Sequence, residues 1–250
     1  MSKTKVNMHI RKHIKKQDFL PLMEARTISI VGLMAAVYAV VTLLPGFPVI
    51  GAPGSEIDLA RSLEPIYGIM MGTYFGPLAA FLGAILGKIL SGESGSLLFT
   101  PLALASTLSA ALIYKGKAGK IPGWTISGLI LTVMIAIWST TQQAHNAPYF
   151  ALPHVAAAAI AFGAGGKLNK SLRSGKMEMA PGVFLVSFIS TMTGNMLGNL
   201  IFVAVYNPSP YFFVPMLAIT LPERLFISLA STIIGVPLIV GVRRVAKLST

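Results

Sequence analysis

The sequence predicts an all-α integral membrane protein, and three observations lead there. Its 250 residues are 54% apolar and only 11% charged, with mean hydropathy +0.73, whereas soluble domains carry about 25% charged residues. The apolar runs are too long for the roughly 10-residue strands of a membrane barrel, so helices must satisfy the backbone in hydrocarbon. The 20 Lys and Arg outnumber the 8 Asp and Glu, and the basic residues fall mostly in tails and short loops between apolar runs. Membrane topology accounts for that distribution more simply than a nucleic-acid surface does.

Taken in order, residues 1–26 form a basic tail with Lys3, Lys5, Arg11, Lys12, Lys15, Lys16 and Arg26 against Asp18 and Glu24. The tail lacks the apolar core of a cleaved signal and is expected to stay cytoplasmic, solvated or lying on anionic lipid. Residues 27–44 form the first span. Its Gly32, Ala35, Ala36 and Ala39 flatten one face, either for packing within the bundle or for docking a second membrane protein. Residues 45–55 (PGFPVIGAPGS) form a Pro/Gly loop on the outer side, a candidate lid. Two short spans, 59–75 and 77–90, are expected to turn at Phe75-Gly76-Pro77, because proline disfavours helix in the residue before it. Gly68, Gly72 and Gly76 recur along one predicted helix face, and Gly83 with Gly87 repeats the spacing, so backbones should pack closely.

A short polar loop, 91–96, leads to a fourth span over 97–114, after which Lys115, Lys117 and Lys120 mark a cytoplasmic loop. The fifth span, 124–138, lies between Trp124 and Trp138; an uncharged polar loop, 139–146, precedes the sixth, 148–165. Lys167, Lys170, Arg173 and Lys176 bring the chain back inside. A final hairpin, 183–206 and 225–242 joined by an uncharged Pro-rich loop, ends at Arg243, Arg244 and Lys247. Eight crossings result, with both termini cytoplasmic in the plasma membrane. The chain divides into a tail (1–26), a six-span bundle (27–170) and an additional hairpin with a basic end (171–250).

Catalytic chemistry finds little support. There is no cysteine, and His9, His13, His145 and His154 form no HExxH or comparable metal pattern. No GxxxxGK[ST] loop occurs, so ATP hydrolysis by that route is excluded. Neither an enzyme nor a bound metal or cofactor is expected. Ionisable groups in or near spans are costly and so become candidates: first Lys88 and Glu93, then Arg61 and Glu64, then the interfacial pair Glu223 and Arg224. Trp138, Gln142, Gln143, His145, Asn146 and Tyr149 gather at one end of spans five and six, offering a stacking face beside amides that suits a flat heteroaromatic ligand. An interfacial aromatic belt is the other reading of that cluster. Asn195 and Asn199, beside Gly194 and Gly198, are expected to hydrogen-bond between close-packed helices.

Three of these places together resemble the substrate-binding (S) subunits of energy-coupling factor (ECF) vitamin transporters, the riboflavin type most of all. They are the Ala35, Ala36, Ala39 face; the run IDLARSLEPIYGIMMGTYFGPLAAFLGAILGKILSGESGS; and Asn146-Ala147-Pro148-Tyr149 at the start of the sixth span. The resemblance covers residues 27–170. It implies a six-helix S-subunit-like bundle, to which the last hairpin would be an addition. It also implies a vitamin-like ligand bound from outside by Arg61, Glu64, Lys88, Glu93, Trp138, Gln142, Asn146 and Tyr149, between the ends of spans four to six and under the 45–55 lid. Partners would be a transmembrane coupling subunit, docked on Gly32, Ala35, Ala36 and Ala39, and two cytoplasmic ATPases; nucleic acid would have no part. Two readings from other classes stand beside it: an assembly protein without a small ligand, and a self-sufficient facilitator.

Overall fold

In a computed structural model of the chain, residues 25–44, 46–48 and 56–248 are described. The basic tail, apart from its last residues, and most of the expected lid lie outside them. The architecture is a bundle of helices: α1 (Ala25–Thr42), α2 (Leu63–Leu90), α3 (Pro101–Lys115), α4 (Gly123–Ser139), α5 (Gln142–Asn146), α6 (Leu152–Ser171), α7 (Lys176–Tyr206) and α8 (Met216–Leu248). Two strand pairs of two residues each, β1 (Phe47–Pro48) with β2 (Glu56–Ile57) and β3 (Lys117–Ala118) with β4 (Ile121–Pro122), pinch loops shut. Among the described residues, five helical segments are long and apolar enough to cross a membrane, and Thr27–Thr42 and Gly123–Ser139 are shorter apolar helices. The chain has the character of an all-α, multi-pass membrane protein.

Local chemistry sets the helix ends. Asp58 accepts from the Ala60 amide at 2.9 Å and caps the 3-10 turn before α2, as Thr141 does for α5 through Ala144 at 3.1 Å. Pro101 stands in the first turn of α3, where its missing N–H costs nothing. Gly116, at φ 84°, ends that helix.

The segment expected to be two short spans does double back, but four residues earlier than the proline predicts. Gly72 has φ 77° and ψ −166°, a backbone region essentially restricted to glycine, whereas Pro77 only biases the residue before it and is carried just inside the second leg. A Cβ on Gly76 would lie 2.7 Å from the Tyr67 carbonyl oxygen. In an unbroken helix, residues nine apart are separated by roughly 13 Å along the axis. The equal spacing of Gly68, Gly72 and Gly76 is therefore not one ridge: Gly72 is the bend, and Gly68 and Gly76 face each other across it. Gly68 also abuts the α3 backbone at Thr107 and Ala111, while Gly83 meets Ala35 and Tyr38 of α1 and Gly87 meets Thr42.

Two apolar cores result. One joins α1, α2 and the start of α3 through Val31, Tyr38, Ile66, Tyr67, Ala79, Ala80 and Ala103. The other joins α3 to α8 through Leu131, Trp138, Phe150, Ile189, Met192, Met196 and Phe213. The last hairpin is thus woven into the bundle. Ser190 bonds Ser106 of α3, Thr193 reaches Ser109, and Ser231 of α8 donates to the Ser62 carbonyl at 2.8 Å. Such interhelical bonds average about 0.6 kcal/mol each in lipid.

The basic loops meet at one end. Arg173 stacks 4.8 Å from the Tyr114 ring and donates to the Tyr114 carbonyl. Arg243 donates to the Leu172 carbonyl at 2.6 Å, and Lys115 lies 6.0 Å from the ring of Tyr74, two residues past the α2 bend. The bend of α2 therefore reaches the level where α3 ends.

Candidate ligand cavity

At the opposite end, where the two cores part, lies a cavity of about 340 Å³. Arg61 and Lys88 both line it, although an unbroken helix would hold them roughly 40 Å apart. The α2 hairpin brings them together. Its wall is polar and paired: Glu64, 1% exposed, accepts from the Tyr38 hydroxyl at 2.9 Å and lies 3.6 Å from Arg61. Lys88 donates to Glu93 at 2.8 Å, and Ser96 donates to the same carboxylate oxygen. The Lys88 ammonium beside it holds the Glu93 carboxyl below its ordinary value.

The facing wall is aromatic: Phe202 of α7, Phe212 and Phe213 of the connection between α7 and α8, and Phe150 ahead of α6, with Asn195 and Asn199 of α7 and Thr220 of α8 among them. Phe213 meets Phe150, Phe202 and Phe212 at ring separations of 4.9, 6.3 and 5.2 Å. Of the residues expected to bind ligand, Arg61, Glu64 and Lys88 line this cavity, and Glu93 pairs with Lys88 at its rim. Trp138, 1% exposed, stands behind the wall, its ring edge-on to Phe213 at 4.6 Å and tilted against Phe150 at 5.3 Å. Gln142, Asn146 and Tyr149 are exposed and do not line it. The cap on Thr141 turns α5 so that Gln143 is buried instead, donating to the Pro208 carbonyl at 2.8 Å.

Of the expected setting between the ends of spans four to six, span four (α3) and Phe150 at the start of span six line the cavity and span five does not; its other walls are α1, the α2 hairpin, α7 and α8. Sequence reasoning passed over the phenylalanines and set Asn195 and Asn199 aside for interhelical bonding. Asn195 does take such a bond, to His154 of α6 at 2.9 Å, yet both asparagines also face the cavity. The usable signal was there: two amides one turn apart in an otherwise apolar helix. Glu223 and Arg224 pair at 2.7 Å on α8, with Arg224 buried.

The small-residue face of α1 divides. Ala35 and Ala39, each 3% exposed, are buried inside the chain, Ala35 against Gly83. A partner cannot reach them, whereas Gly32 and Ala36 remain exposed beside Leu33, Val37 and Val40. The expected lid, 45–55, contains β1, and Asp58, one residue past β2, lines the cavity; residues 45 and 49–55 lie outside the described residues.

No family model, curated protein or solved structure matches this chain. Functional reasoning therefore rests on the cavity itself.

Proposed function

We propose that this chain is the substrate-binding membrane subunit of an ECF-type importer, capturing a vitamin or related small heterocycle, riboflavin-like as the first candidate. The observation that carries this reading is the cavity of about 340 Å³ with an aromatic wall opposite a wall of paired charges. That is within the usual range of roughly 300–1,000 Å³ for small-molecule sites, which are mostly apolar with a few placed polar groups. The cavity opens at the end away from the basic loops, so the positive-inside rule turns its mouth outward and both termini to the cytoplasm of the cell. Eight crossings follow if the α2 hairpin counts as two, which the proximity of Tyr74 to Lys115 supports. Energy comes from elsewhere in this scheme: a coupling subunit docks on the exposed Gly32 and Ala36 of α1, and two ATPases hydrolyse nucleotide.

Mass spectrometry of small molecules co-purifying with the full-length protein, followed by thermal-shift titration with a vitamin panel, tests the reading. A ligand at 100 times its Kd adds about 2.7 kcal/mol of stability. A shift with at least one vitamin is expected; a panel with none, and no co-purifying metabolite, overturns it. Ala36→Trp is expected to leave ligand binding intact and abolish uptake in cells that carry the partner subunits. Undiminished uptake removes the docking role of this face.

A further inference from the structure

Asn195 and Asn199 stand one turn apart on α7 and both line the cavity. Their hydrogen bonds are coupled. Asn195 Oδ1 lies 2.9 Å from His154 Nε2 and accepts from Asn199 Nδ2 at 3.1 Å. His154 is fully buried, 5.5 Å from the Phe150 ring. With Nε2–H donating, Asn195 Oδ1 is filled from two sides. This leaves Asn195 Nδ2 as a free donor and Asn199 Oδ1 as a free acceptor among the described residues. Reversing both amides together with the imidazole tautomer exchanges the roles and again leaves one donor and one acceptor. A carboxamide pair tied in this way always presents the two complementary functions side by side.

The charges around the cavity sharpen the choice of ligand. Arg61 is matched by Glu64, Lys88 by Glu93, and Asp58 by the Ala60 amide it caps. No unmatched cation lines the wall among the described residues, so a phosphate or carboxylate has no counter-ion waiting. Phe202 and Phe212, with ring centroids 5.1 Å apart, offer apolar faces beside the amides, where an aromatic ring can stack or meet them edge-on.

We propose that Asn195 and Asn199 are the specificity-determining residues of the cavity, reading an uncharged heterocycle through a lactam-type edge on which an N–H and a C=O stand side by side. His154 acts as a positioning residue that fixes the Asn195 amide. The inference rests on the ligand-binding reading above and narrows it. A ligand lacking the edge, or one with the edge blocked, leaves the amides covered and unpaired and binds about tenfold or more weakly.

The test is isothermal titration of the full-length protein in detergent with riboflavin and 6-hydroxymethylpterin, each beside its derivative N-methylated on that edge. Nicotinic acid and pyridoxine serve as probes without the edge. The expected result is that at least one edged compound binds and that N-methylation weakens it about tenfold or more. Asn199→Leu is expected to weaken the parent compound by a similar factor. His154→Gln should shrink the ratio of parent to methylated affinity, whereas Phe202→Ala weakens both compounds alike and keeps the ratio. Should Asn199→Leu fail to fold, the methylated probes on the unaltered protein still decide. Binding that tolerates N-methylation, or that prefers nicotinic acid or pyridoxine, overturns the edge inference and leaves the ligand-binding reading standing. No binding by any probe, together with no co-purified metabolite, removes both.

Discussion

On the α1–α2 side of the cavity, glycines and alanines bring backbones together and the charges that line the cavity are matched; on the other side, phenylalanines meet and two carboxamides keep a donor and an acceptor unused among the described residues. In the first region, Gly68, Gly76, Gly83 and Gly87 leave no space for a Cβ, and Glu64 is held by Tyr38 and Arg61. In the second, Phe150 and side chains from α7, α8 and their connection converge on the cavity while Trp138 supports Phe150 and Phe213 from behind. The difference teaches that charge inside a membrane helix is no sufficient guide to recognition. Here the ionisable residues build the hairpin wall, and the uncharged wall keeps an amide donor and an amide acceptor without partners among the described residues.

The comparison is broken most forcefully by filling the close contacts of the first region. Gly68→Val places its Cβ against the Thr107 carbonyl, and Ala35→Trp drives an indole into the contact with Gly83. Backbone cannot yield as a side chain does, so each is expected to cost more than about 3 kcal/mol and abolish a monodisperse size-exclusion peak. A normal peak from either variant would show that the α1–α2 side tolerates looseness.

Next in size is Glu64→Leu. Removing one partner of a buried ion pair costs about 3 kcal/mol, the low end applying because the Arg61 side chain keeps 21% exposure. Its thermal midpoint in detergent should fall well below that of Glu64→Gln, which keeps an acceptor for the Tyr38 hydroxyl. Equal midpoints in the two variants would mean that the acceptor offered to the Tyr38 hydroxyl carries none of the effect. Phe202→Ala should reverse the balance, weakening ligand affinity about tenfold, or about 1.4 kcal/mol, with a smaller loss of stability than Gly68→Val. Unchanged affinity would remove the aromatic wall from recognition.

Acid gives the smallest effect. The Glu93 carboxyl titrates below its ordinary value because Lys88 stabilises the charged form. Its contribution is fully present above the ordinary carboxylate pKa, near about 4.3, and fades as pH falls through the lowered value. Partial exposure limits it to about 1 kcal/mol or less. Melting midpoints between pH 6 and pH 3 should show a decline that Glu93→Gln partly flattens; an identical decline in both would take the Lys88–Glu93 pair out of the account.

How much of this was legible follows from the chemistry of lipid. Long apolar runs, prolines at helix starts and basic loops are local signals, and the helices appear close to where they call for them. The double-back of α2 was legible in outline, but its place was not: a proline is conspicuous, while the glycine that adopts φ 77° looks like its neighbours at positions 68 and 76. Arg61, Glu64 and Lys88 were found because charge in an apolar segment stands out. Phe202, Phe212 and Phe213 were not, because in helices apolar on every side nothing in the periodicity tells a lipid-facing phenylalanine from one facing a cavity.

By itself, then, the amino-acid order pointed to a helical membrane protein, the approximate places of its long apolar helices and the residues whose burial in lipid needs a partner. Tertiary structure alone decided that α7, α8 and the connection between them form one wall of the cavity, that Ala35 and Ala39 face inward, and that Gln142, Asn146 and Tyr149 do not reach the cavity. The physical reason is that hydrocarbon imposes no polar face on a helix. Which side turns inward is settled by the close fit of small residues on neighbouring helices, a property of pairs of segments far apart in the chain.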